Sequence, residues 1–230
     1  MTKHLYFDDP YLKEFSSIVI KADSNRVVLE ESAFYPAGGG QPCDTGVIIG
    51  ASEHRVLGVS KSEDGEDIVH EIEGSLDVGE KVEGRIDWDR RYKLMRMHTA
   101  AHVLSSVIHK KTGAVITGNQ LGVEQSRIDF SLEDLDRAKM YEYCDEANRL
   151  IAEGREVKSY FTDSTRVPTL LAKGLPDVDR LRIVEIDGID IQADGGTHVK
   201  NTKEIGKMEI KKVENKGKHN RRVYYTLMQG

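Results

Sequence analysis

Residues 91–109 read RYKLMRMHTAAHVLSSVIH. Leu94, Met97, Ala101, Leu104 and Ile108 recur at spacings of three and four, which predicts one buried face of an α-helix. Beside that face runs a second track of His98, His102, Ser105 and His109. Side chains four apart stack on one side of a helix, so His98 and His102 can reach a common point. Two neutral imidazoles placed in this way supply half of a tetrahedral zinc site. The same pair could instead cap the edge of a core helix, so the other half of a site has to come from elsewhere in the chain.

That half is offered by Gln192-Ala-Asp194-Gly-Gly-Thr-His198. A strand ending in Gly-Gly can turn sharply and bring Asp194 and His198 back toward one point. Carboxylate oxygen and imidazole nitrogen are both ordinary zinc ligands. With His98 and His102 they make four candidates from two separated stretches, a site that would tie a helix to a sheet. A glycine turn with an incidental histidine is the plainer alternative. His98-Thr-Ala-Ala-His102 has no glutamate after its first histidine, and a protease of the His-Glu-x-x-His type needs one as its general base.

A third stretch, residues 34–46, reads FYPAGGGQPCDTG. Gly38, Gly39 and Gly40 allow close backbone approach, and exposed N–H groups beside Gln41 could cradle an anion. No Gly-Lys-Ser/Thr follows them, which disfavours a nucleotide P-loop and any nucleotide cofactor. Taken alone, the stretch reads as a tight turn of a barrel.

The chain around these stretches has 230 residues, enough for one large domain or two ordinary ones. At 38% hydrophobic and 31% charged it reads as soluble and globular. No apolar run approaches the roughly 18 residues of a membrane span, and the first thirty residues hold no signal-like apolar core. Cys43 and Cys144 are the only cysteines, which argues against a disulfide framework and suits a reducing cytoplasm. Net charge is −6, weakly against a nucleic-acid partner. From Asp89 to Phe130, however, seven basic residues oppose three acidic ones, and from Lys200 to Arg222 nine oppose three. Such local faces can bind phosphates on an acidic protein, although a solvated charged surface explains them as well.

An α+β protein in two parts is expected. Residues 1–88 read as a small β-barrel, with strands at Ile18–Lys21, Arg26–Glu30, Gly46–Ile49, Arg55–Ser60, Asp67–Ile72 and Lys81–Ile86. Residues 89–230 read as a mixed α/β domain that contains the zinc site. There, Ser131 to Asp134 forms a plausible capping box for a helix with Leu135, Ala138, Tyr141, Cys144, Ala147 and Ile151 on one face. Cys144 is accordingly a core residue. Strands follow at Glu156–Phe161, Leu181–Ile186, Ile189–Ala193, Lys207–Val213 and Val223–Met228, with Asp187-Gly188 as a two-residue hairpin turn.

Five stretches in order, SAFYPAGGGQPCDTG, RMHTAAHVLSSVI, RIDF, VEIDGIDIQADGGTHV and KGKHNRRV, resemble the editing region of alanyl-tRNA synthetase. They resemble more closely the freestanding alanyl-tRNA editing proteins of the AlaX family, in particular its medium-length class of a barrel-like domain followed by a zinc-containing editing domain. The resemblance runs from about residue 30 to the end. It implies zinc-dependent hydrolysis, in trans, of tRNA(Ala) mischarged with serine, with one zinc ion per chain on His98, His102 and His198. The family often has a cysteine where this chain has Asp194, so Asp194, water or a further histidine completes the site. Gly38 to Gln41 would lie near the substrate.

Serine is alanine plus a hydroxyl, and a small pocket rejects such an isostere by only about 10². A second site that hydrogen-bonds the hydroxyl rejects alanine by roughly 10⁴ or more, since its own polar group would go unpaired. Such a site needs a buried hydroxyl or amide, and Thr117, with Gln120 second, is the candidate for that group. Two other functions compete: a non-catalytic tRNA-binding module stabilised by zinc, and a metallohydrolase of small esters.

Overall fold

A computed structural model describes residues 1–133, 136–163 and 180–228. Its contacts divide the chain into two units, Met1–Leu94 and Met95–Gly230. The division falls inside helix α2, Trp88–Thr112, which contains the 91–109 stretch.

The first unit is built on a closed six-stranded barrel. Its strands are β2 (Glu14–Asp23), β3 (Arg26–Leu29), β5 (Gly46–Ile49), β6 (Glu53–Lys61), β7 (Ile68–Ile72) and β8 (Lys81–Ile86), closed in the order β2-β3-β7-β6-β5-β8. These are the six expected strands: β5 and β8 have the expected bounds, β3 and β7 are one residue shorter, and β2 and β6 are longer. Strand β8 shows why the pattern works: Val82, Gly84 and Ile86 are buried while Lys81, Glu83 and Arg85 are exposed. Gly84 is obligatory in that row, because a Cβ there would lie 2.3 Å from the Phe15 ring. Phe15, Val19, Leu29, Phe34, Ile48, Ile68 and Ile72 fill the interior.

Three small elements of this unit were not anticipated. Strand β1 (Lys3–His4) pairs in parallel with β4 (Glu31–Ser32), and α1 (Leu5–Asp8) is a single turn. Pieces this short carry no readable period.

The glycine-rich stretch ends in a buried staple. Arg91, in the first turns of α2, and Asp44 are both fully buried. The Arg91 Nε donates to both Asp44 oxygens at 2.9 Å, and its remaining nitrogens reach Asp44, the Pro10 carbonyl at 2.9 Å and the Ala33 carbonyl at 2.6 Å. Asp44 also accepts from the Tyr35 N–H at 2.6 Å. A buried pair whose remaining donors and acceptors are satisfied in this way avoids the penalty of an unpaired charge.

The second unit contains two antiparallel sheets. One runs β14-β15-β10-β9, from β9 (Ile116–Gln120), β10 (Ser126–Phe130), β14 (Met208–Asn215) and β15 (Arg221–Leu227). The other runs β11-β12-β13, from β11 (Val157–Thr162), β12 (Leu181–Ile186) and β13 (Asp190–Ala193). Helix α3 (Arg137–Glu153) buries Met140, Cys144, Ala147 and Ile151. Cys144 is a core residue here, its Sγ 3.6 Å from the Met208 carbonyl.

Four expectations need correction or restriction. The capping box involved Asp134 and the apolar face Leu135, both outside the described residues; the cap observed is Asp136, which accepts from the Lys139 N–H at 3.2 Å. Asp187-Gly188 does sit inside a turn closed by Ile189 N–H to Ile186 C=O at 2.8 Å, but the ladder resumes with Ile186 opposite Asp190, one residue later than a simple two-residue hairpin. Strands β9 and β10 were not expected, and β9 has no fully buried residue to give it a pattern. Helix α2 is buried on every side from Met97 to Ile108, not on one face. Its polar residues, Thr99, His102 and Ser106 among them, are therefore interior and need partners.

Candidate metal centre

Helix α2 carries His98 and His102 on adjacent turns of one side, as their spacing requires. Arg96 fixes this part of the helix by donating to the Ile205 carbonyl at 3.1 and 2.7 Å, and Met97 by accepting from the Tyr225 hydroxyl at 2.8 Å. Strand β13 ends at Ala193, and Asp194 Oδ1 then accepts from the Gly196 N–H at 2.6 Å. That side-chain turn reverses the chain and returns His198, whose Nε2 lies 3.1 Å from Asp194 Oδ1. Gly196 must lack a side chain, since a Cβ would stand 2.3 Å from His98 Cε1.

One ligand atom from each of His98, His102, Asp194 and His198 lies within 4.8 Å of the others. Asp194 Oδ2 is 3.3 Å from His98 Nε2 and 3.8 Å from His102 Nε2. The three imidazole centroids are 4.3 to 5.2 Å apart. The four residues named from the sequence are thus the four that the fold gathers.

The outer nitrogens are held as well. His102 Nδ1 lies 2.9 Å from Asp190 Oδ2, a carboxylate that also accepts from Gln192 Nε2 at 2.9 Å. His198 Nδ1 lies 3.2 Å from Thr99 Oγ1. Thr99 donates its hydroxyl to the Met95 carbonyl at 3.0 Å, so toward His198 it can only accept. Each outer partner can accept a proton from Nδ1 and leaves Nε2 facing inward, the orientation of a metal-bound histidine held by an outer partner. Three imidazole nitrogens and one carboxylate fit the donor preference of zinc.

Electrostatics hold Asp194 ionised, whereas His102 has to give up a proton before it can ligate. Burial works to raise Asp194, but the charge of His98 and hydrogen bonds from all three histidines hold its carboxyl well below the usual range. Burial, reinforced by the charge of His98, drives His198 well below its ordinary value, leaving it neutral. His102 is also penalised by burial, yet the hydrogen bonds to Asp190 and Asp194 raise it to about 9. Asp194 is the most accessible of the four, its side chain 18% exposed against 4–6% for the histidines. A ligand reaching the cluster approaches past the carboxylate.

Reading the sequence alone missed Asp190, Gln192 and Thr99 as outer partners, while the Gly-Gly turn was expected and Gly196 is its glycine packed against His98. Asp190 and Gln192 share one face of β13 and Asp194 continues the period of two just beyond it, and that was the available signal.

The other residues singled out lie outside this group of four. Thr117 and Gln120 are exposed on β9, where a buried group was expected. Thr117 Oγ1 donates to Asn220 Oδ1 at 3.0 Å, and Gln120 Oε1 accepts from Arg127 Nε at 3.1 Å. In the first unit, Gly38 and Gln41 exchange both backbone hydrogen bonds, at 3.0 and 2.9 Å, around Gly39 and Gly40. Those two have φ of +58° and +84°, the left-handed pair that a tight type I′ turn demands. The exchange occupies the N–H groups of Gly38 and Gln41.

Residues 181–224 match the family described as the threonyl and alanyl tRNA synthetase second additional domain, and residues 8–90 match the class II (A) tRNA synthetases. The chain is 52% identical to the alanyl-tRNA editing protein AlaX-M of Methanosarcina barkeri, over 99% of this chain and 100% of that one. It is 47% identical to the AlaX-M protein of Saccharolobus solfataricus, over 99% of each. Against the alanine–tRNA ligase of Ignicoccus hospitalis it is 38% identical over 91% of its own length but only 24% of the ligase. The chain belongs to the AlaX-M family of alanyl-tRNA editing proteins.

Proposed function

We propose that this chain is a zinc-dependent deacylase, acting in trans in the cytoplasm, that hydrolyses the ester of tRNA(Ala) mischarged with serine and so protects translational fidelity. The observation that carries the reading is the convergence of His98, His102, Asp194 and His198 within 4.8 Å, in a chain 52% identical to a protein named for alanyl-tRNA editing. A zinc ion held there supplies Lewis acidity toward the ester or its attacking water.

The chain's own residues set the rest. Asp190 and Thr99 hold the Nδ1 sides of His102 and His198, so both rings are oriented before a ligand arrives. Thr117 is the residue we assign to recognising serine, with Gln120 beside it. Because Thr117 Oγ1 already donates to Asn220, its lone pairs remain to accept from the hydroxyl of serine. The barrel part, residues 1–88 in this reading, supports the tRNA, with Gly38, Gly39, Gly40 and Gln41 toward the substrate; residues 89–230 carry the hydrolysis.

The test is substrate identity. Ser-tRNA(Ala) should be deacylated much faster than Ala-tRNA(Ala), and serine esterified to an unrelated tRNA should be spared. Equal rates on small serine esters and on Ser-tRNA(Ala) would assign the chain to the small-ester hydrolases instead. Binding of tRNA(Ala) without hydrolysis would leave a non-catalytic module.

A further inference from the structure

Asp194 to Val199 lies between the end of β13 and the turn at Thr202–Ile205 without belonging to a strand or helix. Such a segment opens at low cost unless something replaces the missing ladder bonds, yet two of the four cluster residues sit on it. Arg182, on β12, supplies the replacement. Its carbonyl accepts from the Asp194 N–H at 3.1 Å, the last rung beside β13. Its Nη1 then donates to the Asp194 carbonyl at 2.9 Å and to the Gly196 carbonyl at 2.9 Å. Arg182 is 7% exposed, so these are charge-assisted bonds sheltered from water, stronger than neutral ones.

The two carbonyls that Arg182 holds bracket the tightest point of the turn. Gly196 is there packed against the His98 ring, where a Cβ would come within 2.3 Å, and its N–H holds Asp194 Oδ1. Releasing the Gly196 carbonyl would let the turn move away from His98 and take the Asp194 carboxylate with it.

We propose that Arg182 is a positioning residue for the metal centre, clamping the Asp194–His198 turn so that its carboxylate and imidazole meet the two histidines of α2. The proposal rests on reading the cluster as a metal site. Losing an outer partner of this kind weakens metal binding by about 10- to 100-fold.

The experiment compares the parent protein with Arg182→Met and Arg182→Lys, each checked for fold by far-UV circular dichroism. Zinc affinity is measured by competition with a chromogenic chelator, and cobalt(II) is substituted to record its visible absorption. Arg182→Met should bind zinc about 10- to 100-fold more weakly and shift the cobalt band. Arg182→Lys, which keeps a cation on a shorter stem, should fall between it and the parent. A purely structural role would lower the amplitude of the cobalt band in proportion to folded protein without moving its wavelength. Parent-like affinity and an unmoved band in the folded variants overturn the proposal alone. A parent protein that binds neither metal overturns the metal reading and the proposal with it.

Discussion

Asp190 and Thr99 illustrate how single residues decide what this cluster can do. Neither ligates in our reading, but each holds the Nδ1 of an imidazole and so turns the other nitrogen inward. His98→Ala and His198→Ala each remove an inward-facing nitrogen, and each variant should lose most of its zinc while keeping the barrel's circular dichroism. Elemental analysis checks this, and full zinc retention in a folded double variant would contradict the site. Thr117→Val tests selectivity. Losing one hydrogen bond of about 1 kcal/mol, or more if the hydroxyl of serine is left unpaired, lowers the rate on Ser-tRNA(Ala) by roughly fivefold to a hundredfold. Hydrolysis of Ala-tRNA(Ala) should rise in the same variant, so the two rates converge. A uniform fall on both, with zinc intact, would make Thr117 a structural residue. The four cluster residues were legible because His-x-x-x-His and Asp-Gly-Gly-Thr-His each fix a local geometry. Their outer partners were not, because Thr99 meets His198 across 99 positions of sequence and Asp190 meets His102 across 88.

At the level of elements, the barrel strands were readable from β-branched runs divided by turn residues, whereas β9 was not. Exposed or half-exposed along its whole length, β9 owes its existence to pairing with β10, and pairing leaves no trace in hydropathy. The 91–109 stretch was readable as a helix, but its burial on all sides was hidden by interior polar residues. The glycine-rich stretch gains its meaning from its last residue: Asp44→Ala would strand the buried Arg91 guanidinium. That change should destabilise the first unit by about 3–5 kcal/mol, measured as a lower denaturant midpoint, and a loss under 1 kcal/mol would contradict the staple. His70, fully buried between Ser32 Oγ at 2.8 Å and the Val27 carbonyl at 3.3 Å, is pushed down to about 4 by burial. A depressed histidine binds fewer protons folded than unfolded, so its contribution is complete above the unfolded value near 6.5 and is lost as pH falls toward 4. The window is worth on the order of 3 kcal/mol. Thermal midpoints taken from pH 7 to 4 should therefore fall more steeply for the parent than for His70→Gln, and parallel slopes would remove His70 as the cause.

For the whole molecule, the α+β arrangement of a six-stranded barrel and a second unit with two antiparallel sheets was anticipated in outline. The contact division between Leu94 and Met95 falls within a continuous helix, a place that composition and turn residues do not mark. The basic runs proved less free than their counts imply. Arg127 and Arg222 both pair with Asp129, and Lys211, Lys212 and Lys216 pair with Glu209 and Glu214. Charge alone was thus a poor guide to a partner, and the ordered motifs were the better one, since each combines residue types that only a particular local geometry requires. The central claim is that a zinc ion on this cluster is needed for the hydrolysis of mischarged tRNA. It is tested most directly by the deacylation rate on Ser-tRNA(Ala) before chelation, after chelation with metal content measured, and after one equivalent of zinc is returned. Stripping should bring the rate to that of the uncatalysed ester, and zinc should restore it in the parent but not in His98→Ala. An undiminished rate in protein shown to be free of metal would contradict it.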